Sequence, residues 1–288
     1  SKSTKGFKVV LDSANGAAYK VGPSVYRSLG AELIPIGDHP NGLNINKEVG
    51  SLFPEKVVEK VLLEKAQVGF ALDGDADRVV VLDEKGKILD GDDILALFSK
   101  YLSKELKSRV LVGTSMTNSS LSRFIKGLGM TLLRSEVGDR QVASMMKLHD
   151  SLLGGEPSGH ILYANHLLTS DALFTSLLVM KILVSEGKAL SELRKSFQKD
   201  PYILKSFTVS EKIPLNQLKN LKKQIEKEKK NLGEKARIIF RYSGTENKAR
   251  IMVEGTSFMD VTDSCQRLTK KAQEDILSES RKKRTFSN

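Results

Sequence analysis

The chain has little cysteine and no long hydrophobic run. Its 288 residues include one cysteine, Cys265, which excludes an intramolecular disulfide framework and favours a reducing compartment. No apolar stretch approaches the roughly 18 residues of a membrane-spanning helix. No signal-peptide pattern is present, since residues 1–5 lead directly into a predicted strand. We therefore expect a cytoplasmic protein without a membrane partner.

Acidic residues are fewer than basic ones, which gives a formal net charge of +11. Such a charge can indicate nucleic-acid binding. Much of it lies in residues 219–230, where lysines alternate with glutamates in a helical pattern typical of a solvated helix face, and in residues 281–284 of the short tail. We therefore expect no nucleic-acid partner. The positive charge can instead serve to bind a small anionic substrate.

The order of predicted strands and helices indicates an α/β protein. The chain is long enough for two or three domains, and its 40% of apolar residues can build ordinary cores. The first 200 residues repeat a strand–helix–strand rhythm, which includes a helix predicted over residues 17–29. We predict two consecutive α/β domains with mixed sheets of similar topology, at 1–88 and 89–201, followed by a smaller α+β domain at 202–288.

Residues 73–78, the metal loop, read Asp-Gly-Asp-Ala-Asp-Arg between two apolar strands. The carboxylates of Asp73, Asp75 and Asp77 repel one another unless a cation lies among them, and oxygen ligands suit Mg²⁺. An EF-hand is disfavoured because Arg78 occupies the position of its required glycine. A solvated acidic turn remains the alternative. We predict a metal site, because open α/β sheets bind ligands at the carboxyl ends of strands.

Residues 155–160, the sugar loop, combine a carboxylate, a hydroxyl and an imidazole. Glu156 suits two neighbouring sugar hydroxyls, Ser158 adds another hydrogen-bonding group, and His160 could position a phosphate or transfer a proton. By itself this pattern is a weak signal, and an ordinary loop remains the alternative.

Residues 241–246, the phosphate loop, join two predicted strands. Arg241 offers a bidentate fork, and Gly244 lets backbone N–H groups face an anion. Ser243 and Thr245 offer hydroxyls, and Arg250 follows on the next strand. A plain hairpin turn is the alternative, but it would not need this polar chemistry. We predict a phosphate-binding loop.

The three loops, in this order, resemble the α-D-phosphohexomutase superfamily. Its metal loop is matched by 73–78, its Gly-Glu-x-Ser-Gly-His sugar loop by 155–160, and its Arg-x-Ser-Gly-Thr-Glu phosphate loop by 241–246. Residues 42–51 and 137–140 resemble the phosphoglucosamine branch of the superfamily. The resemblance covers nearly the whole chain, but only as the second, third and fourth domains of the family.

This resemblance implies roles for particular residues. It implies Mg²⁺ as the cofactor on the three aspartates and a catalytic role for Arg78 and His160. It implies substrate binding by Glu156, Ser158, His160, Asp139 and Arg140. It implies phosphate binding by Arg241, Ser243, Gly244, Thr245 and Arg250.

The resemblance also implies a reaction. The complete enzyme, an isomerase that works as an intramolecular phosphotransferase, would interconvert glucosamine 6-phosphate and glucosamine 1-phosphate through a phosphoserine and a 1,6-bisphosphate. The substrate and its bisphosphate would be its partners, on the way to UDP-N-acetylglucosamine. A phosphomannomutase, a phosphoglucomutase and a non-catalytic sugar-phosphate-binding protein remain alternatives.

The family's phosphorylated serine lies in a Ser-His-Asn context, which does not occur in these residues. The sequence therefore resembles a piece of a longer protein, and we expect this chain alone to be inactive. Its oligomeric state is left open, with a homodimer as one option.

Overall fold

The computed structural model describes residues 4–165, 169–244 and 246–286. The chain divides into two compact units, Ser1–Gln198 and Lys199–Asn288. No helix within the described ranges is both long enough and apolar enough to cross a membrane.

The first sheet has five strands in the order β2-β1-β3-β4-β5. These strands are β1 (Lys8–Asp12), β2 (Glu32–Ile36), β3 (Val68–Leu72), β4 (Val79–Asp83) and β5 (Ile88–Leu89), and its helices are α1 (Val21–Ser28) and α2 (Glu55–Glu64). Strands β1, β2 and β3 are parallel, whereas β4 and β5 are antiparallel to their neighbours. The metal loop connects β3 to β4, at the carboxyl end of the parallel strands.

The second sheet has four strands in the order β7-β6-β8-β9. The elements of this part are α3 (Gly91–Tyr101), β6 (Val110–Thr114), α4 (Ser119–Gly127), β7 (Thr131–Ser135), α5 (Asp139–Leu148), β8 (Leu153–Gly155) and β9 (Ile161–Tyr163). Three strands are parallel and β9 is antiparallel to β8. The sugar loop joins β8 to β9, in the topological place that the metal loop occupies in the first sheet.

Helices α6 (Ala172–Glu186) and α7 (Leu190–Leu193) follow, with a 3-10 turn at Arg194–Ser196. One hydrophobic cluster includes side chains from both sheets, from α3 and from α6, such as Phe70, Phe98 and Val179. Burying this apolar surface in a shared core stabilises the two sheets as one unit. The division of this unit into two domains at residue 89 remains a proposal.

Helix α1 begins at Val21, although the sequence pattern predicts a helix from Ala17. The N–H of Ala17 donates to the carbonyl oxygen of Gly74 in the metal loop, at 2.7 Å. The segment before Val21 therefore supports the metal loop in place of a first helical turn.

The second unit is an antiparallel sheet with two helices. Its elements are β10 (Tyr202–Thr208), α8 (Lys219–Leu232), β11 (Arg237–Tyr242), β12 (Lys248–Glu254) and α9 (Phe258–Phe286), and the strand order is β10-β12-β11. A separate hydrophobic cluster, which includes Leu221, Ile251 and Leu268, joins helices to sheet. The predicted fold class, two α/β sheets of similar topology followed by an α+β module, is confirmed.

Candidate functional site

The metal loop gathers its three aspartates at the end of β3. One carboxylate oxygen from each of Asp73, Asp75 and Asp77 lies within 4.8 Å of the other two. Asp73 is buried, Asp77 is half-buried and Asp75 is exposed. The trio therefore faces both the protein interior and solvent, as a site that keeps open positions for water or substrate requires.

Asp73 also shapes the loop. Its Oδ1 atom accepts hydrogen bonds from the N–H groups of Asp77 (3.1 Å) and Arg78 (3.0 Å). The N–H of Asp73 donates to the carbonyl oxygen of Arg78, and Ala76 between them has a φ of +59°. These bonds close the backbone into a tight turn, which brings the side chains of Asp73 and Asp77 together.

Charges in the loop perturb one another. Burial raises the pKa of Asp73, and the hydrogen bond from the Arg78 backbone opposes this rise. Burial lowers the pKa of Arg78. The carboxylates of Asp73 and Asp77 raise this pKa by more than burial lowers it, so that it lies above its usual value. The Nε atom of Arg78 is 2.7 Å from Oδ2 of Asp73 and 3.2 Å from Oδ1 of Asp77. Arg78 thus holds two of the three carboxylates in place.

The donor set fits a hard divalent cation. The Oδ2 atom of Asp73 is buried and accepts no hydrogen bond, although the Nε atom of Arg78 lies 2.7 Å from it. A cation among the three carboxylates would offset their mutual repulsion and the cost of burying the charge of Asp73. Three carboxylate oxygens suit Mg²⁺ better than softer metals. The residues therefore fit Mg²⁺.

Asp12, which the sequence argument did not single out, ends strand β1, which pairs with β3. Its buried carboxylate accepts hydrogen bonds from the N–H groups of Ala14 (2.8 Å) and Gly50 (2.7 Å), and burial raises its pKa. Next to it, a Cβ atom added at Gly16 would lie 2.1 Å from the carbonyl oxygen of Gly74. The sequence did offer one signal for Asp12: it lies at the carboxyl end of β1, where the ligand-binding residues of open α/β sheets gather.

The sugar loop is held against the beginning of α5. The Oε1 atom of Glu156 accepts a hydrogen bond from the N–H of Gly138 at 2.9 Å. Asp139 and Arg140, in the first turn of α5, are therefore close neighbours of this loop, and both are exposed. Ser158 is exposed as well. The structure thus brings the predicted sugar-binding residues to one edge of the second sheet.

His160 connects the sugar loop to the metal loop. It is buried, and its Nδ1 atom is 3.4 Å from Oδ2 of Asp77. Backbone contacts support this arrangement, since the N–H of Val79 donates to the carbonyl oxygen of Gly159 at 3.2 Å. The two loops of the first unit therefore form one continuous polar site.

The phosphate loop, in the second unit, lies between β11 and β12. Arg241 and Arg250 are directly opposite each other in the antiparallel register, and both side chains are half-buried. Ser243 is buried, and its Oγ atom accepts from the N–H of Glu246 at 3.3 Å. Gly244 is exposed, and the space that a Cβ atom would take there is open among the described residues. Thr245, predicted to bind phosphate, lies outside the described residues.

This loop has more charged groups than the motif indicated. The Nζ atom of Lys248 is 2.5 Å from Oε1 of Glu246, and a guanidinium nitrogen of Arg250 is 3.4 Å from Oε2 of the same residue. The Nζ of Lys212 donates to the carbonyl oxygen of Ser243 at 2.7 Å. Lys248 adjoins the motif and could have been noticed, whereas Lys212 comes from a distant segment without any signal. Glu246 thus pairs with two cationic side chains at this loop.

Comparisons with known proteins agree with the resemblance. Three models of the phosphoglucomutase/phosphomannomutase family match: alpha/beta/alpha domain II over residues 1–86, alpha/beta/alpha domain III over 90–200, and the C-terminal domain over 180–271.

Among curated proteins, the phosphoglucosamine mutase of Nitratidesulfovibrio vulgaris is 47% identical over 252 residues, which are 87% of this chain and 56% of that protein. The phosphoglucosamine mutase of Bdellovibrio bacteriovorus is 40% identical over 273 residues, 94% of this chain and 60% of that protein. The chain therefore spans somewhat more than half of the length of these relatives.

Solved structures share the fold. The crystal structure of Aspergillus fumigatus N-acetylphosphoglucosamine mutase in complex with GlcNAc-6P and magnesium matches with a TM-score of 0.77 at 22% identity, over 95% of this chain and 62% of that chain. A phosphoglucomutase/phosphomannomutase family protein from Burkholderia thailandensis also matches with a TM-score of 0.77, at 23% identity, over 94% and 62%.

Proposed function

Because the chain belongs to the α-D-phosphohexomutase superfamily, we propose that it is part of an enzyme that interconverts glucosamine 6-phosphate and glucosamine 1-phosphate. The single observation that carries this proposal is the convergence of three carboxylate oxygens within 4.8 Å, beside Arg78 and His160. The names of the curated relatives support an amino sugar as the substrate. The reaction would serve the cytoplasmic supply of UDP-N-acetylglucosamine.

The proposed reaction transfers a phosphoryl group twice. A phosphoserine gives its phosphoryl to the free hydroxyl of the sugar phosphate, which forms a 1,6-bisphosphate and a free serine. After the bisphosphate reorients, the serine takes back the phosphoryl from the other position. No Ser-His-Asn sequence occurs in these residues, so we assign to this chain the binding and electrostatic groups of the reaction, which dominate phosphoryl transfer.

The metal loop would act at the transferring phosphoryl group. Mg²⁺ held by Asp73, Asp75 and Asp77 would supply positive charge that offsets the negative charge of the transition state. Arg78 adds a second positive charge and keeps the carboxylates of Asp73 and Asp77 oriented.

The sugar loop would bind the hexosamine ring. Glu156 uses Oε1 to fix the backbone of Gly138, so its Oε2 atom is the one that we assign to a sugar hydroxyl. The side chains of Ser158, Asp139 and Arg140 would add hydrogen bonds to the ring. His160, next to Asp77, is suited to position the reacting hydroxyl or to move its proton.

The phosphate loop would bind the phosphate that does not react. Arg241 and Arg250 supply guanidinium groups that match phosphate geometry. Ser243 and Thr245 would add hydroxyls. A Cβ atom added at Gly244 would meet no described atom within 4 Å other than those of its chain neighbours. A phosphate can therefore approach this backbone closely.

The test uses this chain and three hexose phosphates. We expect the chain to bind Mg²⁺ and glucosamine 6-phosphate in titration calorimetry, and to show no turnover in a coupled mutase assay. Tighter binding of mannose or glucose 6-phosphate would overturn the amino-sugar assignment. Full mutase activity from these 288 residues would overturn the assignment of the phosphoryl donor to a serine outside the chain.

A further inference from the structure

Ser170 lies outside all three loops, in the segment between β9 and α6. It is buried, with 8% of its surface exposed. Its Oγ atom donates a hydrogen bond to the carbonyl oxygen of Asp77 at 2.5 Å and accepts one from the N–H of Ile161 at 3.2 Å. Asp77 belongs to the metal loop, and Ile161 directly follows the sugar loop. The hydroxyl of Ser170 thus donates a hydrogen bond to the metal loop and accepts one from β9, the strand that follows the sugar loop.

The residues after Ser170 continue this support. The N–H of Ala172 donates to the carbonyl oxygen of Ala76 at 2.9 Å. Asp171 begins helix α6 by accepting a hydrogen bond from the N–H of Phe174 at 2.8 Å. Because α6 is largely buried in the common core, this segment gives the metal loop a rigid support.

The position of these bonds within the metal loop matters. They hold the carbonyl groups of Ala76 and Asp77, and Ala76 has a left-handed φ of +59° that an alanine adopts only under constraint. The Asp77 side chain, on the same short turn, provides one oxygen of the acidic trio and contacts His160. Displacing the Asp77 peptide would therefore move a carboxylate at the metal site and its contact to the sugar loop together.

We propose that Ser170 is a positioning residue that locks the metal loop to the sugar loop by binding the Asp77 carbonyl and the Ile161 N–H with one hydroxyl. The inference rests on the proposed function of these two loops. Supporting groups behind metal ligands commonly change metal affinity about 10- to 100-fold when they are removed. Ser170 is such a group, although it touches neither metal nor sugar.

The test compares Ser170→Ala and the volume-matched Ser170→Cys with the hydroxyl-keeping Ser170→Thr. Ser176→Ala is the matched control. Ser176 is a fully buried serine on α6, which accepts a hydrogen bond from the hydroxyl of Tyr26 at 2.7 Å and donates one to the carbonyl oxygen of Leu173 at 2.6 Å. If Ser170→Ala does not fold, Ser170→Cys replaces it, because a thiol is a weak donor of similar size.

The first measurement is amide hydrogen exchange by NMR on the metal-free chain. We expect faster exchange at Ile161, Asp77 and Arg78 in Ser170→Ala, and wild-type exchange at these amides in Ser170→Thr and Ser176→Ala. Unchanged exchange in Ser170→Ala, or equal acceleration in Ser176→Ala, would overturn the proposal, since the hydroxyl would then have no specific effect on the two loops.

The second measurement is Mg²⁺ titration calorimetry. We expect Ser170→Ala to bind Mg²⁺ about tenfold more weakly or worse, and Ser170→Thr and Ser176→Ala to bind within about twofold of wild type. Equal affinity in Ser170→Ala would also overturn the proposal. If the wild-type chain itself binds no Mg²⁺, the proposed metal function fails, while the exchange data still decide whether Ser170 joins the loops.

Discussion

The Nδ1 atom of His160 lies 3.4 Å from Oδ2 of Asp77, so the imidazole of the sugar loop contacts a carboxylate of the metal loop. The two residues are far apart in sequence and adjacent in the first unit. A proton or a substrate hydroxyl near His160 is therefore within reach of the charge on the metal loop. This contact makes the two loops one chemical site, and the predictions below test its parts.

Asp73→Asn should abolish tight Mg²⁺ binding while leaving the fold intact. The asparagine Oδ1 can still accept the N–H groups of Asp77 and Arg78, but the negative charge at the buried ligand is lost. We expect affinity to fall at least about 100-fold in titration calorimetry. Asp150→Asn, an exposed replacement of the same type, is the control. Wild-type affinity in Asp73→Asn would show that the cation binds elsewhere.

Mg²⁺ binding should release protons as the pH is lowered. Burial raises the pKa of Asp73 in the metal-free protein. A carboxyl whose folded pKa is raised stabilises the fold below its unfolded pKa, and this contribution is lost as the pH rises through the folded pKa. Metal requires the ionised form, so affinity should decrease as the pH approaches the raised pKa from above.

Calorimetry in two buffers with different ionisation enthalpies measures this release directly. The number of protons released per Mg²⁺ should increase as the pH is lowered toward the raised pKa of Asp73. An affinity that stays independent of pH throughout acidification of the folded protein, without proton release, would contradict the raised pKa of Asp73.

Glu246→Gln should strengthen phosphate binding. Glu246 pairs with Lys248 and Arg250, and the hydrogen bond from Lys248 lowers the pKa of its carboxyl, so this anion stays charged. A phosphate must compete with it for the same cations. We expect a gain of about two- to tenfold in affinity for inorganic phosphate at low salt. Glu226→Gln on α8 is the matched control, and weaker binding in Glu246→Gln would instead assign Glu246 a direct role in the ligand site.

Glu228→Gln should destabilise the second unit. The buried carboxylate of Glu228 accepts two hydrogen bonds from Arg267, at 2.8 and 2.9 Å, which join α8 to α9. At neutral pH we expect a loss of about 1–3 kcal/mol in urea unfolding. Glu274→Gln, which breaks an exposed pair with Lys271, should leave the urea midpoint nearly unchanged, because exposed ion pairs add little stability.

The pH dependence of this effect has a defined sign. The hydrogen bonds from Arg267 lower the pKa of Glu228. A lowered pKa contributes stability above the unfolded pKa, and that contribution is lost as the pH falls through the folded pKa. The difference between wild type and Glu228→Gln should therefore shrink in acid. A difference that grows below pH 4.5 would contradict the assignment.

Gly159→Ala should disrupt the sugar loop. Gly159 has a φ of +92°, and an added Cβ would lie 2.1 Å from the carbonyl oxygen of Val79. Either the loop or β4 must move, and we expect a loss of at least about 2 kcal/mol in unfolding free energy together with weaker sugar-phosphate binding. Gly127→Ala, at a helical position where the added carbon meets no described atom within 4 Å, should be neutral or slightly stabilising.

Much of this protein could be predicted from local sequence. The motif Asp73–Gly74–Asp75–Ala76–Asp77–Arg78 carries its own turn chemistry, because Asp73 binds the backbone of its own loop. Alternating strand and helix patterns predicted two mixed sheets followed by an α+β module, and the structure confirms them. The family resemblance is also confirmed. The roles of the individual site residues stay predictions, which the variants above test.

Other features depend on contacts between distant segments. The late start of helix α1 follows from the bond between Ala17 and Gly74, which no local pattern reveals.

The sequence by itself determined which chemical groups this protein carries and the order of its strands and helices, because hydrophobic periodicity and loop motifs are local. Only the tertiary structure decided which other residues support the loops that carry these groups. Ser170 reaches the metal loop and Lys212 reaches the phosphate loop from segments with no motif of their own. Their roles arise because the fold sets which polar partners lie within reach of each group once the chain has packed.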